Sequence, residues 1–298
     1  MNRLSLVVAL IMALGLSSVC LGAKGKDAHG AKEQGKSGIL LVVFGTTVPE
    51  ARKAFDQIGK QVKEAFPGVE LRWAYTSKVI RAKLKKEGQS LDSPEAALAR
   101  MADDGFSRVL AASFHTIPGE EFHDLQKNAH MFAQMRGGIK HIVVSRPLLS
   151  SRSDFERVMQ ALLREIPKSR KPDEAVIFMG HGSEHHPSDV AYAAMNYWFG
   201  KAEPNVLVGT VSGEPKLEDF LPELKKKGVK KAYLLPFMSV AGDHARNDMC
   251  GDEPESWKSI LKKAGIESQC ILKGTAEMPD IVSVWIDHMK AAFSLLPR

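Results

Sequence analysis

The chain repeats itself, and that repetition limits its fold more than any other feature. "ILLVVFGTT" at residues 39–47 aligns with "AVIFMGHGS" at 175–183. "GFSRVLAASFHTIPGEEFHD" at 105–124 aligns with "GVKKAYLLPFMSVAGDHARND" at 228–248. In the second pairing Phe114 faces Phe237, Gly119 faces Gly242 and Glu121 faces His244. Short aliphatic runs of this kind alternate with segments such as "PEARKAFDQIGKQVKEAF", whose apolar residues recur at helical spacing. Strand–helix alternation implies parallel sheets with helices on both faces. Two copies of one such set predict two similar α/β domains, 39–168 and 173–298, joined at the polar "KSRKPD" of residues 168–173. Sheets of this class bind ligands beyond the carboxyl ends of their strands, so two facing edges would make a cleft.

The first 23 residues differ from the rest. A charged start at Arg3, an apolar run from Leu4 to Leu16 and small residues before Ala23 are the layout of a secretory signal peptide. The run is short for a membrane anchor, and no interior stretch is apolar enough to span a bilayer. The expected location is therefore periplasmic, with a polar, flexible leader over residues 24–38. Lipidation at Cys20 is disfavoured by Val19, which stands where a small residue is wanted. Cleavage leaves Cys250 and Cys270, which an oxidising compartment would allow to pair. They lack zinc-finger spacing. The formal charge of +6 is too mild and too spread out to indicate nucleic acid. It suits an anionic small substrate if the charge gathers at a site.

Candidate chemistry sits just after the strands. His181 follows "AVIFMG", Ser212 and Glu214 follow "NVLVGTV", and Asp243 and His244 follow "KAYLLPF". His115 follows "RVLAASF". Two imidazoles and a carboxylate (His181, His244, Glu214) suit Co²⁺, Ni²⁺, Fe²⁺ or Zn²⁺ better than Mg²⁺ or Ca²⁺. Three protein ligands would leave open positions, as a catalytic metal needs. The bland alternative makes each an unrelated polar loop residue, but His181 and His244 share equivalent strand ends in one sheet. His185 and His186 open the next helix, where they either line the site or are solvated. Lys78 and Arg81, on a lysine-rich helix after a strand, and Arg146, after another, could pair with ligand carboxylates. The bland alternative there is a solvated basic face. "FGTT" and "GHGS" complete no phosphate-binding fingerprint, and "GHGSEH" is not the elbow that would make Ser183 a nucleophile.

"GILLVVFGTT", "AYTSKVIRAKL", "HTIPGEEF", "MGHGSEHH", "VGTVSGEP" and "VAGDHARNDMCGDEPESWKSIL" together resemble the anaerobic cobaltochelatases. These are class II tetrapyrrole chelatases that insert Co²⁺ into sirohydrochlorin. The resemblance runs from about Gly38 to the C-terminus. It implies two Rossmann-like domains, each a parallel sheet flanked by helices, with a chelatase-like active site in the cleft between them. It also implies that His181 and His244 bind the metal and accept protons. The family's glutamate lies in "TVEG", whereas this chain reads "TVSG", with Ser212 in its place. Glu214 lies two residues on and would share a face with Ser212 in an extended segment. A further departure is His123, either a solvated imidazole or an axial ligand for haem iron, including between subunits.

The implied reaction removes two pyrrole protons as the metal enters, and imidazole is a base suited to neutral pH. The polycarboxylate substrate would engage Lys78, Arg81, His115, Arg146 and His186. The rival reading is a non-catalytic periplasmic carrier of metal, haem or tetrapyrrole. A periplasmic metal-dependent hydrolase is a third. The expected partner is a tetrapyrrole rather than nucleic acid or membrane, and a homo-oligomer is compatible with the sequence.

Overall fold

The computed structural model describes residues 35–297; the signal-peptide residues and most of the leader lie outside them. The first run of elements is β1 (Lys36–Val43), α1 (Pro49–Ala65), β2 (Glu70–Tyr75), α2 (Lys78–Lys86), α3 (Pro94–Asp103), β3 (Phe106–Ser113), α4 (Glu120–Gln134), β4 (His141–Val144) and α5 (Arg152–Arg164). The second is β5 (Ala175–Gly180), α6 (Val190–Ala202), β6 (Val206–Thr210), α7 (Leu217–Lys226), β7 (Lys231–Pro236), α8 (Trp257–Lys263), β8 (Glu267–Cys270) and α9 (Pro279–Phe293).

The two sheets have the same strand order, β2-β1-β3-β4 and β6-β5-β7-β8, and every pairing is parallel. In each, a central strand is flanked on both sides: Ile39 pairs with Leu71 and Leu110, Ile177 with Leu207 and Leu234. Helices cover both faces, so the central strands are buried on both. Ala175 to Gly180 is buried throughout, which is why it reads as a continuous aliphatic run rather than an alternation. Serine caps start several helices: Ser77 Oγ accepts from Ile80 N at 3.2 Å and Ser151 Oγ from Asp154 N at 3.3 Å.

Two boundaries differ from the sequence reading. Strand β1 begins at Lys36, inside the stretch read as leader, because Gly38 lets the strand approach Phe106 and Lys36 pairs with Glu70 at 2.5 Å. Helix α9 belongs by sequence to the second half but packs on the first, against β3, β4, α1 and α5. Trp285 Nε1 donates to the His115 carbonyl at 3.2 Å, and Phe293 meets Phe66 at 5.3 Å between ring centroids. One apolar cluster therefore runs through both halves, joining α1, α5, α6 and α9 between the sheets. The Cys250 and Cys270 sulfurs are bonded, with Cα atoms 6.1 Å apart, tying the turn that follows His244 to β8.

Candidate functional site

In each sheet the connections leave the two central strands in opposite directions, and the crevice beyond that switch point is where a ligand fits. The ends of β1 and β3 and the ends of β5 and β7 face one cleft, with a cavity volume of about 190 Å³. Its walls are mostly apolar, with Phe44, Phe114 and Phe237 among them.

His181 is the first residue past β5. Gly182 follows with φ +77°, and a side chain there would strike Thr210 and the Gly213 backbone within 2.8 Å. Glycine thus lets the loop after β5 lie directly on the loop after β6, where Ser212 N donates to the His181 carbonyl at 2.8 Å. Asp189 stitches the same two loops by accepting from Ser183 N and Glu214 N, both at 3.0 Å. The His181 ring sends Nδ1–H to the Gly182 carbonyl at 2.9 Å, which leaves the Nε2 lone pair free.

His244 opens a short π-helical turn, Ala245–Met249, beyond β7. Its Nδ1 is 2.5 Å from Asp248 Oδ2, one turn on. A carboxylate on Nδ1 fixes the tautomer and directs the Nε2 lone pair outward, the usual support of a metal-ligating histidine. The His181 and His244 rings lie 4.8 Å apart between centroids, at 84° to each other, and both line the cleft.

Glu214 does not join them. Strand β6 ends at Thr210, and the chain then turns back so that Thr210 N donates to the Pro215 carbonyl at 2.8 Å. The segment is not extended, so residues 212 and 214 do not share a face. The Glu214 carboxylate is exposed beside Lys216, 3.6 Å away, and is not in the cleft lining. Among the described residues, no cluster of three or more His, Cys, Asp or Glu side chains is arranged to hold a metal. The site offers two imidazoles.

Of the other expected contacts, His115 reaches the cleft from the opposite half. Arg81 lines a separate polar pocket that shares Glu121 with the cleft. Lys78 and Arg146 are exposed and lie outside the lining; the Arg146 carbonyl instead faces His288 Nδ1 at 3.3 Å. His186 caps the following turn, its Nδ1 accepting from Ser188 N at 3.2 Å. His123 is exposed on α4, outside the lining, with its ring 5.1 Å from that of His186. His185 is exposed beside Glu184. Glu120 and Glu121, at the start of α4, line the cleft without having been singled out from sequence. The signal was present, since the internal alignment sets Glu121 opposite His244. Burial pushes the His115 imidazole down to about 4. It also pushes the Tyr192 phenol up, with the Asp189 carboxylate adding to the shift. Both are neutral walls at physiological pH.

Comparison with known proteins agrees with this architecture. The chain is 41% identical over 261 residues to a sirohydrochlorin cobaltochelatase of Nitratidesulfovibrio vulgaris, covering 88% of this chain and 92% of the relative. It is 33% identical over 262 residues to the sirohydrochlorin cobaltochelatase of Salmonella typhimurium, covering 87% and 97%. Among solved structures, SirB from Bacillus subtilis with Fe³⁺ superposes with a TM-score of 0.59 at 15% identity, over 87% of this chain and 96% of that one. That likeness shows the shared fold. The family model described as cobalt chelatase (CbiK) matches residues 37–294, and the chain belongs to this family.

Proposed function

We propose that this protein inserts Co²⁺ into sirohydrochlorin, with His181 and His244 holding the metal at one wall of the cleft and taking up the two displaced pyrrole protons. The observation that carries the assignment is the paired imidazoles, each with Nδ1 already engaged and Nε2 free. A ligand that surrenders its metal regains its lone pair when a proton needs an acceptor. Two imidazoles lose one Co²⁺ to the macrocycle and gain two protons, which balances the exchange. Asp248 stabilises the imidazolium that His244 becomes. A two-imidazole shell is incomplete by design of the reaction: a metal held by a full set of ligands would be hard to hand over. Co²⁺ is a substrate here, and this donor set would also accept Fe²⁺ or Ni²⁺.

Absorbance of sirohydrochlorin, followed with Co²⁺ and substrate in excess over protein, tests the reading. The wild type should turn over many equivalents, and His181→Ala and His244→Ala should each lower the rate by about 10²–10⁴-fold. Unchanged rates in both variants would remove the mechanism. Conversion of one equivalent and no more would favour a carrier. The Cys250–Cys270 bond supports a periplasmic location, since such bonds persist in oxidising compartments. Fractionation of cells should place the protein with periplasmic markers.

A further inference from the structure

We propose that the aromatic ring of Phe44 is a substrate-positioning contact, which packs against the conjugated macrocycle and holds it beside His181. This deepens the function proposed above and rests on it.

Phe44 is the first residue past β1, so the strand sets its place. Its carbonyl accepts from Ser77 N at 3.2 Å, and the Val43 carbonyl before it accepts from Thr76 N at 2.9 Å. Gly45 then turns the chain with φ +104°, a conformation that favours glycine. The next two residues meet the loop that carries His244. Thr46 is buried, and a side chain at Gly242 would come within 3.1 Å of Thr46 Oγ1. Thr47 Oγ1 donates to Asp243 Oδ2 at 3.4 Å. The backbone under Phe44 is thus tied to both halves.

The ring itself is left uncovered. Three phenylalanines line the cleft. Phe114 and Phe237 are core residues, 2% and 0% exposed, whereas Phe44 is 36% exposed. Its ring centroid lies 6.2 Å from that of His181, at 47°. That approach places the side chain, and not only the backbone, at the cleft wall. A single exposed apolar side chain is ordinary on a protein surface. This one stands on a fixed backbone next to the imidazole pair. A phenyl ring offers no ligand to a metal and no acceptor to a proton. It offers apolar area and a quadrupole to another π-system. The macrocycle has such a system, while its carboxylate arms would gain nothing from the contact. Packing on Phe44 limits how far the macrocycle slides along the wall, and so where its nitrogens meet a metal held by His181.

Titration of metal-free sirohydrochlorin by absorbance tests this, alongside binding of Co²⁺ alone. Phe44→Ala should raise the Kd for the tetrapyrrole by about tenfold, the size of a lost aromatic contact and its area. Phe44→Tyr keeps the ring and should bind within about twofold of wild type. Phe44→Leu keeps apolar area without the π face and should recover only part of the loss. Affinity for Co²⁺ alone should be the same in every variant. Unchanged tetrapyrrole Kd in Phe44→Ala would overturn the proposal, as would Phe44→Leu binding as tightly as wild type. So would a folded Phe44→Tyr protein, judged by its thermal midpoint, that binds no better than Phe44→Ala. An equal loss of Co²⁺ affinity in Phe44→Ala would overturn it too, because the ring would then act by propping His181. The titration uses no metal and needs no turnover, so a wild type that binds the tetrapyrrole but does not insert Co²⁺ would sink the proposed function alone.

Discussion

The two halves are one frame carrying different chemistry. Aligned by their repeat, Gly45 stands where His181 stands, Glu121 where His244 stands, and His115 where Met238 stands. Strand order and strand direction are the same in both sheets. The second half gives the cleft two nitrogen donors with free lone pairs; the first gives it carboxylates and a neutral imidazole. Even the support differs. Four residues past His244 lies Asp248, which holds its Nδ1; four past Glu121 lies Leu125, buried in the core of the first half. A carboxylate has equivalent oxygens and needs no partner to fix its tautomer, whereas an imidazole does. The halves share one frame, and on the proposed function the metal falls to the second half while the first meets the substrate.

Erasing that division should have the largest effect. His244→Glu gives both halves the same residue at this position. It also places a carboxylate beside Asp248, so like charges repel where a hydrogen bond stood. Co²⁺ insertion should fall by about 10²–10⁴-fold in protein whose far-UV circular dichroism is unchanged. Retention of more than a tenth of the wild-type rate would mean the halves are interchangeable here. Asp248→Asn is the gentler cut. It keeps an oxygen that can accept from Nδ1–H but removes the charge, and should cost about 10–100-fold in metal affinity or activity. Competition against a chromophoric Co²⁺ chelator would read the affinity directly. Equal affinity in variant and wild type would reduce Asp248 to a surface residue.

The frame was easier to read than the site. Parallel strands buried on both faces appear in sequence as unbroken aliphatic runs, so both sheets and their repetition are legible. His181 directly follows β5 and inherits its position from the strand, whereas His115, two residues past β3, and His244, eight past β7, reach the same cleft through the loops that follow. Glu214 lies four residues beyond Thr210, past a turn whose path local sequence does not encode. Lys78, Arg146 and His186 lie outside the cleft lining for a related reason. Their places near strand ends or helix starts are correct, but the direction in which each side chain leaves depends on tertiary packing. Helix α9 shows the same limit at larger scale. Its apolar face announces burial without saying which sheet it covers. Pairing of Cys250 with Cys270 depends on a Cα separation that only the fold supplies.

His115 and Met238 offer a thermodynamic version of the same comparison. The His115 ring is neutral when folded down to about pH 4, against 6.5 for the free side chain. Between those values the unfolded chain binds more protons, so stability is fully present above about pH 6.5 and is lost as pH falls toward 4. The full shift corresponds to roughly 3 kcal/mol. The ring is partly open to the cleft, so the measured loss should be about 1–2 kcal/mol. Met238 has no proton to take up and contributes no such slope. Urea midpoints of wild type and His115→Gln at pH 7 and pH 4.5 isolate the term, because every other titrating group is common to both. The wild type should lose more stability than the variant on acidification; parallel losses would mean the ring stays solvated.

The smallest effect expected is at Glu214, and it separates a ligand set inferred from residue type from one defined by geometry. A carboxylate that completed the metal shell would be worth as much as either histidine. The structure instead puts this one in solvent, 3.6 Å from Lys216, in an exposed pair of the kind that contributes about 0–1 kcal/mol to stability. What matters at that position is the backbone, whose N–H reaches Asp189 at 3.0 Å, and alanine keeps it. Glu214→Ala should therefore insert Co²⁺ within about twofold of the wild-type rate and bind it with unchanged affinity. A loss of tenfold or more would mean the loop after β6 rearranges when metal arrives and swings the carboxylate into the cleft. The second half would then supply a complete three-ligand shell, and the carboxylates of the first half would be left to the substrate alone.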